Sequence, residues 1–474
     1  PEEIDKNRLK KIIKKVVKKH KILNCKILQR TDGIYGIYDP DAKVQIMELD
    51  DELSFLQPFD MENPPFVHIG FYKDALYVDV HHIVADGTSL SLLIAEIEAF
   101  YEENGTSVWG KRAAEDKMDQ PTAPQDSKEI WYGNYAAFFP KIDFSEHMAF
   151  FKSYLSCDFE PVFLPESKTG KKDGASKFYD LPDEIRKKTR KYAKENQLTE
   201  MMVFLGAYGI LLSRYTGRDT ILSSMVLQNR NRPELRNMVG MLVNTIPVCL
   251  HVLGKTKDYF RQIRENVMDI FKYQEIPFSA IADAIGMDKN SINTSFVFQG
   301  NGEMRLRFGK KDISPKWMET GTAKFDMTFE VMPLAEGYRL RLEYDASKFE
   351  ESLMDRMAEG FFLILSGLEL ADTSEIAAMT NQEKKVLLEK FNDTYVPYPK
   401  DKCVHELFME QAKETPDRTA VVFQEREFTY KQIDEISNVL AHILREKEIG
   451  RGDIVPVIAK RGWQIIAAML GILK

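Results

Sequence analysis

The run His81-His82-Ile83-Val84-Ala85-Asp86-Gly87 gathers two imidazoles, a carboxylate and a glycine in one short stretch. A neutral imidazole, with an ordinary pKa of about 6.5, can take or give a proton near neutral pH. Strand alternation sends His81 and His82 to opposite faces, which leaves one imidazole for a cleft and one for packing. Asp86 could hold the loop by pairing with an arginine or by accepting backbone N–H groups, and Gly87 permits a tight turn. The plainer reading is structural, because His-His pairs often pack and Asp-Gly ahead of a helix is usually a turn and cap. Their combination between a strand and a helix favours proton-transfer chemistry.

Several elements must position this run. Upstream, VQIMEL, PFVHIGFY and ALYVDV are short β-prone runs separated by turn residues and read as strands. Downstream, TSLSLLIAEIEAFYEE sets Leu90, Leu93, Ile94, Ile97 and Phe100 in helical register, with Thr88 or Ser89 available as the N-cap. The motif therefore lies where a strand hands over to a helix. In the basic segment LKKIIKKVVKKH, Leu9, Ile12, Ile13, Val16 and Val17 form an apolar stripe, so its lysines read as a solvated helix face.

A polar stretch over 103–128 reads as an exposed loop, FSEHMAFFKSYL as a helix, and ESKTGKKDGASK as a link. A long helical pattern over 181–217 follows, then the strand runs TILSSMVL, TIPVCLHVL, TSFVFQ, KFDMTFEVMP and YRLRLEYD. Strands and helices mixed in each half predict two α/β lobes with a cleft between them. A turn-rich passage within 371–402 reads as a linker to a further unit.

The chain has 474 residues, more than one core usually supports. Its 65 Lys and Arg against 73 Asp and Glu give a formal charge of −8, which disfavours nucleic acid as the main partner. Cys25, Cys157, Cys249 and Cys403 lie far apart without zinc-ligand or disulfide-framework spacing, which fits a reducing cytoplasm and no metal. No apolar run approaches the roughly 18 residues of a membrane-spanning helix, and no signal-peptide order opens the chain, so it reads as soluble. A start on Pro1 just ahead of a helix and a stop straight after IIAAMLGIL suggest a piece of something larger.

HHIVADG matches the H-H-x-x-x-D-G signature of condensation domains and their acyltransferase relatives, among them chloramphenicol acetyltransferase. VVKKHKILNCKI resembles the family's R-H-E-x-L-R-T stretch, and PFDMENPPF the text leading to the active-site strand. WYGNYAAFF is similar to Y-x-D-Y-A, NRNRPELRNMVGMLVNTIPV to the passage ending G-x-F-V-N-T, and YQEIPFSAIADAI to H-Q-x-x-P-F. KFDMTFEV and YRLRLEYD resemble its closing strands. The opening S-x-A-Q-x-R pattern is absent, Lys19 and Tyr273 stand where the family often has Arg and His, and SINTSFVFQ is shorter than its S-R-N-P-L passage. HELFMEQAKETPDRTAVVF, EFTYKQIDEISNVLAHIL and GDIVPVIAKRGWQIIAAMLGILK resemble the beginning of an adenylation domain.

The resemblance implies an α/β fold of two chloramphenicol acetyltransferase-like lobes in a V-shaped pseudo-dimer with a central cleft, followed by a partial α/β adenylation subdomain. It sets the N-lobe at 1–165, without its first strand, the C-lobe at 166–370, a linker at 371–402 and the adenylation part at 403–474. The implied reaction is amide formation between thioester-tethered residues in nonribosomal peptide synthesis. In it His82 accepts a proton as general base, or orients the amine and stabilises the tetrahedral intermediate. His81 and Gly87 shape the loop, Asp86 pairs with Arg230, or else Arg232, and Asn244 lines the cleft or ties two strands together. No cofactor is expected on this chain, because phosphopantetheine arms on donor and acceptor peptidyl carrier proteins would bring the substrates, beside the adjoining adenylation domain. No G-G-x-S carrier motif and no Ser/Thr/Gly-rich phosphate loop is present, so both carriers and ATP-dependent activation must lie elsewhere. An epimerization domain, a silent carrier-docking module and a CoA-dependent acyltransferase are the alternatives, and DGTSLSLL leans towards an L-configured donor.

Overall fold

In a computed structural model, the structure describes residues 4–31, 33–102, 130–156, 160–167, 169–170, 174–300, 306–308, 311–313, 316, 318, 321–334 and 337–474. The expected loop at 103–128 and Cys157 lie outside the described residues. Two compact units are formed, residues 1–384 and residues 385–474.

The first unit opens with helix α1 (Lys6–Lys19), which Asp5 caps by accepting a hydrogen bond from the Arg8 N–H. Its predicted stripe is the buried face, with Leu9, Ile13, Val16 and Val17 inside, while Lys15 lies 4.0 Å over the Phe100 ring. A hairpin follows, β1 (Cys25–Arg30) and β2 (Gly33–Tyr38). Then comes a three-stranded sheet in which β3 (Ile46–Glu48) runs parallel to β4 (Val67–Tyr72) and β5 (Ala75–Val80) runs antiparallel to β4. Helix α2 (Gly87–Tyr101) leaves this sheet and packs against α1.

The second lobe is a six-stranded sheet in the order β6-β13-β12-β9-β7-β8. Its strands are β6 (Gly174–Asp180), β7 (Thr220–Leu227), β8 (Asn244–His251), β9 (Thr294–Phe298), β12 (Met327–Leu334) and β13 (Gly337–Asp345); β10 (Leu306–Phe308) and β11 (Lys311–Ile313) form a separate hairpin. Strand β6 begins in the last four residues of the stretch expected to be a link and runs beyond it to Asp180, and its pairing with β13 makes it a sheet edge. The helical pattern expected as one element is two, Asp183–Glu195 and Glu200–Thr216. The break is local: Gln197 takes φ +56° and Thr199 caps the second helix by accepting from the Met202 N–H.

Each lobe has its own core. The first gathers Ile13, Leu23, Phe66, Ile69, Val84 and Leu93, and the second Phe204, Tyr208, Phe296, Phe329 and Phe361. Phe151, Leu155, Val162 and Leu164 pack in the second core although they precede the expected boundary at residue 165. The segment 371–384 also packs with the first unit: Ile376 is buried, and the Thr256 N–H donates to the Ala371 carbonyl. After β7 the chain crosses to the first lobe, burying Val239 in its core, and then returns to begin β8. This crossing brings the second lobe to the motif.

The second unit holds helices Val404–Glu414, Tyr430–Glu446 and Trp463–Leu473 with the antiparallel pair β14 (Thr419–Phe423) and β15 (Arg426–Thr429). Ile433, Ala441, Ala467 and Leu470 form its buried face.

Candidate active site

Strand β5 ends at Val80 and α2 begins at Gly87, so His81 to Asp86 form the turn between them. Strand alternation therefore does not orient the two histidines, but the turn separates them all the same. His81 is half-buried, its ring edge-on to Phe59 at 5.3 Å, and Nδ1 accepts the Ile83 N–H at 3.1 Å. Burial holds its pKa below the ordinary histidine value, against the opposing charge of Asp79.

His82 is exposed. Its Nδ1 lies 2.9 Å from the Ala85 carbonyl oxygen, and a carbonyl can only accept, so Nδ1 carries the proton and Nε2 the free lone pair. The loop thus selects the tautomer. Nε2 has no partner among the described residues.

Asp86 is the N-cap of α2, not Thr88 or Ser89 as expected. Its buried Oδ1 accepts from the Ser89 N–H at 2.7 Å, and its Oδ2 from the N–H groups of Leu242 and Val243 at 3.1 and 3.3 Å. Arg230 Nη2 lies 2.9 and 3.1 Å from the two oxygens. Arg230 is in turn fixed by Nη1, which donates to the carbonyls of Leu235 and Met238 at 2.7 Å each. Of the two arginines considered, Arg230 is the one that reaches Asp86. Arg232 forms a bidentate pair with Glu275 at 2.7 and 2.9 Å and holds that carboxyl below the usual range.

Gly87 is helical and needs no left-handed backbone; a Cβ there would meet no protein atom within 4 Å. The turn-making role expected of it is not what this position requires. Asn244, at the start of β8, donates Nδ2 to the carbonyls of Gln274 and Ile276, so it ties the strand to a loop and not to a second strand. Lys19 and His20 both meet Glu96 at 2.6 Å, and Tyr273 stacks on Phe150 at 4.8 Å.

Sequence reasoning missed three participants. Ser89 Oγ lies 2.8 Å from both Asp86 Oδ1 and the Gly240 carbonyl, and accepts the Gly240 N–H, which clasps α2 to the crossing segment. Tyr132 donates its hydroxyl to the Met241 carbonyl at 3.0 Å. Its ring covers Gly240 so closely that a Cβ there would come within 2.0 Å. Spacing gave some signal for Ser89, three residues past an Asp, and none for the crossing.

The structure thus places one exposed, oriented imidazole on a two-lobed α/β frame. The sequence pattern of the condensation domain family matches residues 1–388, and that of AMP-binding enzymes residues 408–474. The chain belongs to the condensation domain family, whose members in nonribosomal peptide synthetases form amide bonds. It is 31% identical to bacitracin synthase 1 of Bacillus licheniformis over 88% of its length and 26% identical to tyrocidine synthase 2 of Brevibacillus parabrevis over 100%. It spans only 8% and 14% of those two proteins. Among solved structures, a holo four-domain nonribosomal peptide synthetase bound to AMP and glycine matches with a TM-score of 0.73 at 18% identity, over 98% of this chain and 38% of that one. The first condensation domain of the calcium-dependent antibiotic synthetase, in complex with a substrate analogue, matches with a TM-score of 0.60 at 17% identity, over 79% and 91%. No helix among the described residues is long and apolar enough to cross a membrane.

Proposed function

We propose that this chain joins an aminoacyl or peptidyl donor to an aminoacyl acceptor, each carried as a thioester on the phosphopantetheine arm of a separate peptidyl carrier domain. The observation that carries the reading is the exposed His82 ring with its Nδ1 proton held by Ala85 and its Nε2 lone pair free. An α-amine with a pKa of about 7.7–8.0 is already partly neutral at pH 7, so positioning contributes more than basicity. Nε2 accepts a hydrogen bond from the acceptor amine, aims the nitrogen lone pair at the thioester carbon, and takes the proton as the N–C bond forms. The C–S bond then breaks, and the proton passes to the departing thiolate of the donor arm.

Asp86 is not the base in this scheme, because its buried oxygens are occupied by Arg230, Ser89 and two backbone N–H groups. It holds the loop and α2 in register with the crossing segment. Gly87 leaves open space at the first turn of α2, and Asn244 steadies the start of β8. The adjoining adenylation domain would load the acceptor's carrier. A cytoplasmic setting agrees with Cys25, Cys249 and Cys403 standing as thiols outside any disulfide. The test supplies one donor-loaded and one acceptor-loaded carrier and follows dipeptidyl-carrier by intact-protein mass spectrometry. Dipeptide on the acceptor carrier supports condensation. Exchange of the donor's α-proton with solvent, without dipeptide, would make the chain an epimerization domain instead.

A further inference from the structure

The turn that carries His82 is closed by the side chain of His81. The His81 backbone N–H donates to the Phe66 carbonyl at 3.1 Å, and the His81 carbonyl accepts from the Val84 N–H at 3.1 Å. Its Nδ1 accepts the Ile83 N–H, also at 3.1 Å, so the imidazole bonds the backbone two residues on. His82 lies inside that closure, and its own ring bonds Ala85 just beyond it. A ring nitrogen accepts only while it carries no proton, so the closure exists only with Nδ1 of His81 unprotonated.

The groups around the ring bear on that proton. Phe59 meets two imidazoles, stacked on His68 at 4.0 Å and edge-on to His81 at 5.3 Å, and Phe66 packs on His81 at 6.0 Å. The titratable groups that act on His81 are Asp79 on β5 and His82 in the turn, while His68 on β4 sets its Nδ1 4.0 Å from an Asp79 oxygen. Burial among the rings disfavours the imidazolium, Asp79 favours it, and a charge on His82 opposes it. Once both nitrogens carry protons, the imidazolium and the Ile83 N–H face each other as two donors. We infer that His81 is a positioning residue that serves the reaction only as the neutral imidazole: a proton on Nδ1 expels the Ile83 N–H and opens the turn that carries His82, before the fold itself gives way. The link to catalysis rests on the role proposed above for His82; the opening of the turn does not.

The test uses the full chain, unmodified, as His81→Asn and as Asp79→Asn. Asparagine at position 81 accepts the N–H two residues on through an oxygen that does not titrate, the geometry of an Asx-turn. Hydrogen–deuterium exchange at the Ile83 amide is followed by fragmentation mass spectrometry from about pH 7.5 to about pH 4.5 and expressed as a protection factor, which removes the intrinsic pH dependence. In the unmodified chain protection should fall about tenfold per pH unit below the His81 midpoint, the slope of one proton, while the helix Glu200–Thr216 keeps its protection. His81→Asn should show no such fall, and Asp79→Asn should move the midpoint to lower pH, because the charge that favours the imidazolium is gone. In dipeptide formation on loaded carriers, His82 and the acceptor amine titrate in all three chains, so the kcat/KM of His81→Asn relative to the unmodified chain should rise about tenfold per pH unit over the same range. Ile83 protection that ignores pH in the unmodified chain, or that falls equally in His81→Asn or in step with the helix, would overturn the inference. If His81→Asn does not fold, Asp79→Asn decides, and a midpoint that stays or rises overturns the inference. Acid limbs that run parallel in the unmodified chain and His81→Asn would overturn the positioning role. Should no dipeptide form from any chain, the proposed reaction fails, and amide exchange alone still decides whether His81 governs the turn.

Discussion

Asp86→Asn keeps the side chain's size and removes its charge, which isolates the contribution of the Asp86–Arg230 pair. Both side chains are almost wholly buried, 3% and 6% exposed. The carboxylate accepts from Ser89, Leu242, Val243 and Arg230, all donors, so an amide NH2 in place of one oxygen must face donors wherever it turns. Arg230 would be left charged and short of an anion, a situation that costs about 3–5 kcal/mol for a buried pair. With an unfolding entropy of about 2.1 cal/mol/K per residue, a unit of 384 residues has about 0.8 kcal/mol/K, so the midpoint should fall by about 4–6 °C. Differential scanning calorimetry at pH 7 reads this directly. Adding Arg230→Met should recover part of the loss, because the stranded charge is then gone. Arg232→Met is the comparison, since its pair with Glu275 is more exposed, 34% on the arginine and 12% on the glutamate side, and should cost less than Asp86→Asn. A melt for Asp86→Asn within about 1 °C of the unmodified chain, or a double variant as unstable as the two losses combined, would refute the reasoning.

Three further outcomes are expected. Gly87→Ala should hold or raise the melting temperature, because the added Cβ meets no protein atom within 4 Å and alanine favours the helix; a fall in the midpoint on calorimetry would contradict this. Gly240→Ala should cost about 1–3 kcal/mol by forcing the Tyr132 ring away, and Tyr132→Leu should relieve part of that cost in the same melt. Burial lowers the pKa of His68, His81 and His147, so the neutral form is favoured in the fold; their stabilisation is complete above about pH 6.5 and is lost as the pH falls. Melting temperature should therefore drop between pH 7 and pH 5.5, less steeply in His147→Phe, which keeps the ring contacts with Phe144 and Tyr273. Asp79, raised by burial, works in the opposite sense starting from the acid side, so a rise in melting temperature across this window would mean that it dominates.

The motif could be found in the sequence because its flanks are periodic: ALYVDV ends as β5, and Leu93 and Ile97 of the following helix are buried. The same holds for α1, where the lysines crowd the chain but Ile13 and Val16 set the packed face. What the residues alone could not provide was any contact between positions far apart. Asp86 and Arg230 are 144 residues distant, and only the family resemblance named the pair. Strand β6 was hidden for a related reason: GASKFYD has no alternating apolar face, and it is a strand because β13 offers it a free edge. Nothing in the periodicity of the crossing from β7 to β8 announces its contacts, yet it delivers Val239 to the other core and two N–H groups to Asp86. Gly87 shows the converse, a glycine that neither its backbone angles nor close packing requires.

The most direct test compares the unmodified chain with His82→Ala, using one donor-loaded and one acceptor-loaded carrier and counting dipeptidyl-carrier by intact-protein mass spectrometry, with both melts recorded. His82 is exposed and, among the described residues, bonded only to Ala85, so the variant should melt within about 1 °C of the unmodified chain while dipeptide falls by a hundredfold or more, the scale of a lost general base. Dipeptide formed by a folded His82→Ala chain at a rate near that of the unmodified chain would contradict the account.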